Sequence, residues 1–142
     1  MNTKSRKAKG RNLQNLVAKK LRELYDLTEA DIKPAVMGEK GRDIQLSKDA
    51  EQYIDFDIEC KNTETLNVWK AIEQTNSNTQ KNREPLLVVK KNRDPPYAVI
   101  KFDKLLDLLH IELAYVILVD MLYQEKDIDR LMGLVGVDED ES

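Results

Sequence analysis

Apolar and polar positions change their period several times along the chain, and each change predicts an element of secondary structure. From Gly10 onward the apolar side chains recur at spacings of three and four, which is typical of an amphipathic helix. Thr28 then resembles a helix cap, and Pro34 would end the short helix that it begins. The apolar positions of the first helix are Leu13, Leu16, Val17, Leu21 and Leu24.

Two stretches that follow, residues 42–47 and 54–61, alternate with the period of half-buried strands. Only a short connection or helical turn, beginning at Ser47, separates them. We therefore expect the two strands to be antiparallel neighbours joined by a hairpin-like turn.

A second helix is indicated by Val68, Trp69 and Ile72, and it gives way to a polar loop at residues 75–82. Trp69 lies on the apolar side of this helix, so a core position is favoured over an exposed stacking role. The continuous apolar run over residues 86–89 is typical of a central strand buried on both faces.

The C-terminal part begins with a predicted strand at residues 97–102 and continues as a strongly apolar helix, or pair of helices, over residues 103–122. Residues 126–132 suggest one more short helix. The apolar face is wider than a single exposed helix needs, so it is either core or a dimer surface, and we expect core. His110 lies within it and is interpreted as a core or surface residue, not a catalytic base.

The element order α-β-β-α-β-β-α predicts an α/β fold in which a mixed central β-sheet is flanked by helices. With 142 residues, the chain fits a single domain. We place that domain at residues 10–132, after a basic flexible arm at residues 1–9 and before an acidic flexible tail at residues 133–142.

Charge is distributed unevenly along the chain. Residues 1–22 carry eight Lys or Arg and no acid, whereas residues 103–142 carry three basic and eleven acidic side chains. A polyanion would therefore meet the N-terminal part of the chain. The sequence predicts no signal peptide and no membrane-spanning run, and a single cysteine permits no internal disulfide, so a cytoplasmic location is expected.

Candidate chemistry is concentrated in residues 41–61. Glu59 and Lys61 are two positions apart on a predicted strand, so they share a face, while Cys60 points the other way as a small buried residue. Asp43 lies at the start of the neighbouring strand. Two carboxylates and an ammonium suit a hard cation such as Mg2+. A solvated ion pair of little energetic weight is the alternative reading of Glu59 and Lys61 alone.

Gly41-x-Asp43, then Glu59-x-Lys61, then a helix that carries Gln74, resembles the PD-(D/E)xK nuclease superfamily. The wider pattern, over residues 9–102, is similar to small phage nucleases related to Holliday-junction resolvases. The resemblance implies a restriction-endonuclease-like core and an Mg2+-dependent DNA endonuclease, with Mn2+ also supporting activity. It further implies branched DNA as substrate, a homodimer, a bacterial host cell as the location, and neither membrane nor small-molecule cofactor.

The resemblance also implies roles for individual residues. Asp43 and Glu59 would hold the metal together with the backbone carbonyl of Cys60, and Lys61 would orient or activate the attacking water. Gln74 would position water or DNA. Two further candidates for the metal site are Glu39 and Gln14, of which Gln14 stands where the superfamily often has a Glu, a departure that points to one-metal chemistry.

DNA-binding positions follow from the basic side chains expected near this site, if they are more than solvated loop charges: Lys7, Lys9, Arg11, Arg42, Lys81, Arg83, Lys90, Lys91 and Arg93. Two alternatives to the nuclease stay open. One is a catalytically weak or inactive DNA-binding protein on a nuclease fold. The other is an interaction protein that binds partners through its basic arm and its acidic tail.

Overall fold

The computed structural model describes residues 2–135. Contacts divide the chain into two compact units, one ending at Ile100 and one beginning at Lys101. The first unit is mixed α/β, as predicted, with two small sheets and helices against them. The second unit is helical over its described part. Of the acidic tail predicted at residues 133–142, residues 133–135 are helical and residues 136–142 lie outside the described part of the chain.

Helix α1 spans Thr3–Tyr25 and begins seven residues earlier than the apolar pattern suggested. Asn2 caps it by accepting a hydrogen bond from the backbone N–H of Lys4, and Asp26 ends it in the left-handed region at φ 54°. Residues 3–9, predicted as an arm, are therefore its first two turns. The sequence did not predict this part of the helix, because residues 3–9 are polar and carry no apolar stripe.

Strands β1 (Ile32–Pro34) and β2 (Ile44–Leu46) form an antiparallel pair. The helix predicted after Thr28 is wrong: Asp31 accepts hydrogen bonds from the backbone and hydroxyl of Thr28, which makes a turn that leads into β1. The predicted hairpin is wrong as well. Helix α2 (Lys48–Glu51) separates β2 from the next strand, and β2 pairs with β1 instead.

The second sheet contains β3 (Phe56–Asn62), β4 (Glu84–Lys90) and β5 (Tyr97–Val99) in that order. β4 is parallel to β3 and antiparallel to β5, so the apolar run at residues 86–89 is central, as predicted. The described residues thus form two sheets where one was expected, and β1 and α2 are additions to the predicted order.

The two faces of β3 have different environments. Ile58 and Cys60 belong to the hydrophobic core, in which Leu13 of α1 is also buried. Asp57, Glu59 and Lys61 alternate with them and point to the opposite face, toward α3 (Val68–Asn78). The polar face of one strand therefore lies between the sheet and a helix, and this arrangement creates the candidate site.

Helix α3 packs through small residues. Ala71 and Thr75 are buried, whereas Trp69 is 81% exposed. The core position predicted for Trp69 is wrong, because the helix turns its small and amide-bearing side toward β3. The helix also continues to Asn78, through residues predicted as loop.

Helix α4 is one continuous element, Phe102–Val135, and includes both helices predicted in this region. The core interpretation of its apolar face is not supported, since its described large apolar side chains are exposed, Leu109 at 48% and Ile117 at 51% for example. His110 is exposed too. Across the described residues, no helix has the length and apolar character needed to cross a membrane.

Candidate metal-dependent active site

Asp43 is held immediately before β2 by backbone hydrogen bonds to β3 and to the residue that follows β1. Its N–H donates to the carbonyl of Ile58 in β3, and its own carbonyl accepts from the N–H of Ala35, both at 2.8 Å. The preceding Gly41 has φ 107°, a left-handed conformation that glycine adopts without steric cost. The Asp43 carboxylate then accepts the N–H of Cys60 at 2.7 Å. These bonds place the Asp43 side chain beside Glu59 and Lys61.

Glu59 is a buried carboxylate, 4% exposed, on the α3 side of β3. Its Oε1 accepts a hydrogen bond from Gln74 Nε2 at 3.2 Å, and its Oε2 accepts one from Asn78 Nδ2 at 3.1 Å. The ammonium of Lys61 lies 3.1 Å from Oε1. Buried charge needs such partners, so Glu59 is accommodated by one ion pair and two amides.

The electrostatics of the site leave negative charge in excess. Burial raises the pKa of Asp43, and the nearby charge of Glu59 raises it further, against hydrogen bonds from Cys60 and Gln14 and the attraction of Lys61. Two carboxylates share a single ammonium here. A divalent cation would relieve that repulsion, and Mg2+ commonly uses one or two carboxylates in proteins.

Gln14 on α1 contacts the Asp43 carboxylate through its side-chain amide. Its Oε1 accepts a hydrogen bond from Arg11 Nη1 at 3.3 Å, and the same nitrogen donates to the carbonyl of Ala35 at 2.6 Å. Gln14 thus reaches the site, as a donor toward Asp43, while Arg11 anchors it. The guanidinium of Arg11, predicted to bind DNA, is engaged inside the domain.

Asn78 is a site residue that sequence reasoning missed. It had been assigned to a polar loop, whereas it lies one helical turn after Gln74 and binds the other oxygen of Glu59. The i, i+4 spacing of two amides would have been a signal, once residues 75–78 were recognised as helical.

Glu39, a candidate metal ligand, is exposed and accepts a hydrogen bond from Gln45 Nε2 at 2.6 Å. It lines a cleft of about 490 Å³ that Lys40, Arg42 and Asn78 also line, which we call the Asn78 cleft. Glu39 therefore shares a cleft with Asn78, a partner of Glu59, but the structure pairs the Glu39 carboxylate with Gln45.

Cys60 is buried and belongs to the core side of β3, as predicted. Burial, together with the charges of Asp43 and Glu59, raises the pKa of its thiol. A thiol that resists ionisation is a poor nucleophile, so the chemistry lies with the carboxylates and Lys61. The metal contact of the Cys60 carbonyl stays a prediction.

Arg42 and Arg83, both predicted to bind DNA, are instead joined to the buried Asp57. Its Oδ1 lies 2.8 Å from Arg42 Nη1 and 2.6 Å from Arg83 Nε, and Arg42 also pairs with Glu51 at 2.6 Å. Arg83 donates further to two backbone carbonyls. Their guanidinium groups thus help to hold β3 in place, and DNA binding by either arginine stays a prediction.

The remaining basic candidates lie on the surface of the first unit. Lys7, Lys81 and Arg93 are exposed, as is Lys91, which pairs with Asp94 at 3.2 Å. Two more are half-buried. Lys90 donates to the carbonyl of Asp94 at 2.6 Å, and Lys9 lines a cleft with Arg6 and Asn62.

Comparison of the chain with known protein families, with characterised proteins and with solved structures finds no match. Among residues 2–135, no cluster of three or more His, Cys, Asp or Glu side chains is arranged to hold a metal ion. The carboxylates that the structure brings together at the site are Asp43 and Glu59. The geometry of this site is therefore the basis on which a function can be proposed.

Proposed function

We propose that this protein is a divalent-metal-dependent DNA endonuclease that hydrolyses phosphodiester bonds on a restriction-endonuclease-like core. One observation carries the proposal: residues 16 and 18 positions apart in sequence, Asp43 with Glu59 and Lys61, meet in one site. Asp43 is bonded to the backbone of Cys60 at 2.7 Å, and Lys61 lies 3.1 Å from Glu59.

The metal would be Mg2+, with Mn2+ as a substitute. Asp43, Glu59 and the carbonyl of Cys60 would hold it, which agrees with the preference of these ions for oxygen ligands. When bound, the ion supplies Lewis-acid stabilisation and lowers the pKa of a bound water. The raised pKa of Asp43 supports this use, because a carboxylate that is costly to ionise alone gains most from a cation.

Lys61 would interact with both the attacking water and the phosphate. Its ammonium has three donors, and only one direction is taken by Glu59 at 3.1 Å. It is partly exposed, at 28% of its side chain, so a substrate has access to it. From this position Lys61 orients the water and stabilises the negative charge that develops on the phosphate oxygens.

The three amides would orient the carboxylates. Gln14 donates toward Asp43, while Gln74 and Asn78 donate to the two oxygens of Glu59. An amide at Gln14 provides no negative charge for a second cation. The site therefore favours one-metal chemistry.

DNA would approach over basic side chains on the surface of the first unit, the exposed Lys7, Lys81, Lys91 and Arg93 and the half-buried Lys9. Phosphate contacts of this kind position a duplex without reading its sequence, and they weaken as salt rises. The choice of branched DNA, including four-way junctions, rests on the resemblance to resolvases.

The partner of α4 would be a second copy of the chain. Large contiguous apolar patches are rare on monomeric proteins, and α4 exposes apolar side chains on successive turns, including Leu105, Leu109, Leu113 and Ile117. The helix carries more acidic than basic side chains, so the DNA-binding surface lies elsewhere. Pairing two such helices would give the two active sites that a symmetric cut through a junction needs.

A second function, DNA binding without cleavage, is favoured by one specific observation. Both oxygens of Glu59 already accept hydrogen bonds from amides, and Lys61 neutralises its charge. A carboxylate satisfied in this way can be stable without a metal. Cleavage separates the two functions.

The deciding experiment is a cleavage assay on a four-way junction and on the matching linear duplex. Each DNA is incubated with Mg2+, with Mn2+ and with EDTA, using the parent protein and Asp43→Asn. Metal-dependent cutting that Asp43→Asn loses supports the nuclease, and preference for the junction supports the resolvase. Salt-sensitive binding without cutting in any arm contradicts the nuclease and supports the second function.

The dimer is tested by light scattering after size-exclusion chromatography. We expect the parent to elute as a dimer and Leu109→Glu to elute as a monomer, because a charge on the apolar side of α4 cannot be buried against its copy. Leu24→Glu is the matched control, since Leu24 is an exposed leucine of α1. A monomeric parent, or a dimeric Leu109→Glu, contradicts the assignment of α4.

A further inference from the structure

A small cleft adjoins Lys61, and it shares no lining residue with the Asn78 cleft. Its volume is about 180 Å³, and we call it the Tyr97 cleft. Lys61 is thus shared between the candidate active site and this cleft. The lining includes Lys61, Leu66, Val89, Lys90, Lys91 and Tyr97.

The sheet register explains why these side chains are neighbours. Lys61 of β3 pairs with Val89 of β4, and Val89 pairs with Tyr97 of β5. Paired residues on adjacent strands point to the same face, so the three side chains form a row across the sheet. Two strand spacings separate Lys61 from Tyr97, about 10 Å.

The walls of the cleft are tied together by hydrogen bonds. The N–H of Thr63 donates to the carbonyl of Lys90, and the N–H of Asn92 donates to the carboxylate of Glu64, both at 2.9 Å. Lys90 Nζ closes the β4–β5 turn on the carbonyl of Asp94 at 2.6 Å. The cleft is therefore formed before any ligand arrives, which reduces the entropy that binding loses.

The chemistry of the lining fits a nucleobase. Leu66 and Val89 supply apolar surface, and the side chain of Tyr97 is 61% exposed, so its ring is accessible for stacking. Lys61 also lines the cleft, where a phosphate would lie, whereas Lys90 and Lys91 are held by Asp94. Two acids, Glu64 and Asp94, are part of the lining as well. Aromatic side chains next to basic ones are the usual means of holding single-stranded nucleic acid.

We propose that the Tyr97 cleft binds the base of an unpaired nucleotide that adjoins the scissile phosphate at Lys61. This inference rests on the proposed nuclease function and specifies its substrate class. A base within a continuous duplex is stacked and paired, and it would have to leave the helix to enter a concave cleft. The preferred substrate is then DNA with single-stranded nucleotides at the cut, as in a flap or an open branch point.

Binding is tested in the Asp43→Asn background, which removes cleavage. The probes are a single-stranded oligonucleotide and the duplex of the same sequence, measured by fluorescence anisotropy without added metal. We expect Tyr97→Ala to weaken single-strand binding about tenfold, the scale of one lost base stack, and to leave duplex binding nearly unchanged. Tyr97→Phe, which keeps the ring, should restore single-strand affinity.

Tyr53→Ala is the matched control, because Tyr53 is 64% exposed and packs near Tyr25 instead of the cleft. Equal losses for Tyr97→Ala and Tyr53→Ala, or equal losses for single strand and duplex, overturn the proposal. In the parent background, cutting at the same rate with and without the Tyr97 ring overturns it while leaving the nuclease intact.

A second measurement does not depend on cleavage. Amide chemical shifts of the isotope-labelled protein are followed during titration with dAMP and, separately, with inorganic phosphate. Shifts at Leu66, Val89 and Tyr97 with dAMP alone support a base site, even for a protein that cuts no DNA. Identical shifts with phosphate, or none with dAMP, overturn it.

Discussion

Two acidic clusters on the same face of β3 differ in how their charge is balanced. Asp57 meets Arg42 and Arg83, and Arg42 also meets Glu51, so two acids face two guanidinium groups. Two residues further along the strand, Glu59 and Asp43 share Lys61 alone. The first cluster is electrically complete, whereas the second has one negative charge in excess.

The pKa values reflect this difference. Burial acts to raise the pKa of Asp57, but hydrogen bonds from the Gln80 N–H, Arg83 and Arg42 outweigh it, and the pKa is lowered. For Asp43, burial and the nearby charge of Glu59 outweigh its hydrogen bonds and the attraction of Lys61, and the pKa is raised. One strand thus carries a structural ion-pair cluster and a candidate reactive site side by side. Arginines that each bind several acceptors distinguish the first, and a carboxylate without a cation of its own distinguishes the second.

The largest expected effect is on catalysis. Lys61→Ala should lower the cleavage rate about 10²–10⁴-fold, because it removes the group that serves the water and the phosphate while leaving both carboxylates. Metal binding, measured by calorimetry, should persist. Lys48→Ala, at an exposed lysine of α2, is the control. A Lys61→Ala protein that cuts like the parent would show that Lys61 only neutralises Glu59.

The next effect is on folding. Asp57→Asn should reduce the free energy of unfolding by about 3–5 kcal/mol, since it leaves two mostly buried guanidinium groups without their shared anion. Urea denaturation followed by circular dichroism measures the loss, with Asp49→Asn at an exposed position as control. Unchanged stability would mean that folding does not need this cluster, so that its arginines can bind another ligand. That result would favour their predicted role in DNA binding.

Lowering the pH should reduce the difference in stability between the parent and Asp57→Asn, an effect smaller than the loss caused by the substitution at neutral pH. The folded-state pKa of Asp57 lies below the unfolded value near 3.8, so its stabilisation is present above that pH and is lost as pH falls through the folded pKa. Urea midpoints at pH 7, 5 and 3 should therefore decline more steeply at the acid end for the parent. Parallel declines would contradict the lowered pKa.

Part of this contrast was predictable from the sequence. The alternation of β3 places Glu59 and Lys61 on one face, and the apolar run at residues 86–89 identifies the central strand. The partners of Asp57 were not predictable, because Arg42 and Arg83 are 15 and 26 residues away. The sequence around an arginine does not show whether the arginine forms an ion pair within the fold or is available to bind a phosphate.

The predictions of which helix faces are buried were wrong for a related reason. An apolar stripe predicts the buried face of a helix only where the surface opposite is apolar. β3 presents a buried carboxylate to α3, so the helix turns Gln74, Asn78 and small residues toward it and leaves Trp69 exposed. Helix α4 also has an apolar pattern, but its described large apolar side chains are exposed. The pattern does not identify the partner that would cover them.

The smallest effect tests the unmatched carboxylate directly. Asp43→Asn should raise the free energy of unfolding of the metal-free protein by about 0.5–1 kcal/mol, since it removes a buried charge yet keeps an acceptor for the Cys60 N–H. Thermal unfolding with EDTA measures the gain, with Asp49→Asn as control. Added Mg2+ should then stabilise the parent and not the variant, by mass action on the folded state. If Asp43→Asn is less stable than the parent in EDTA, Asp43 is a structural acid like Asp57, and the contrast between the two clusters disappears.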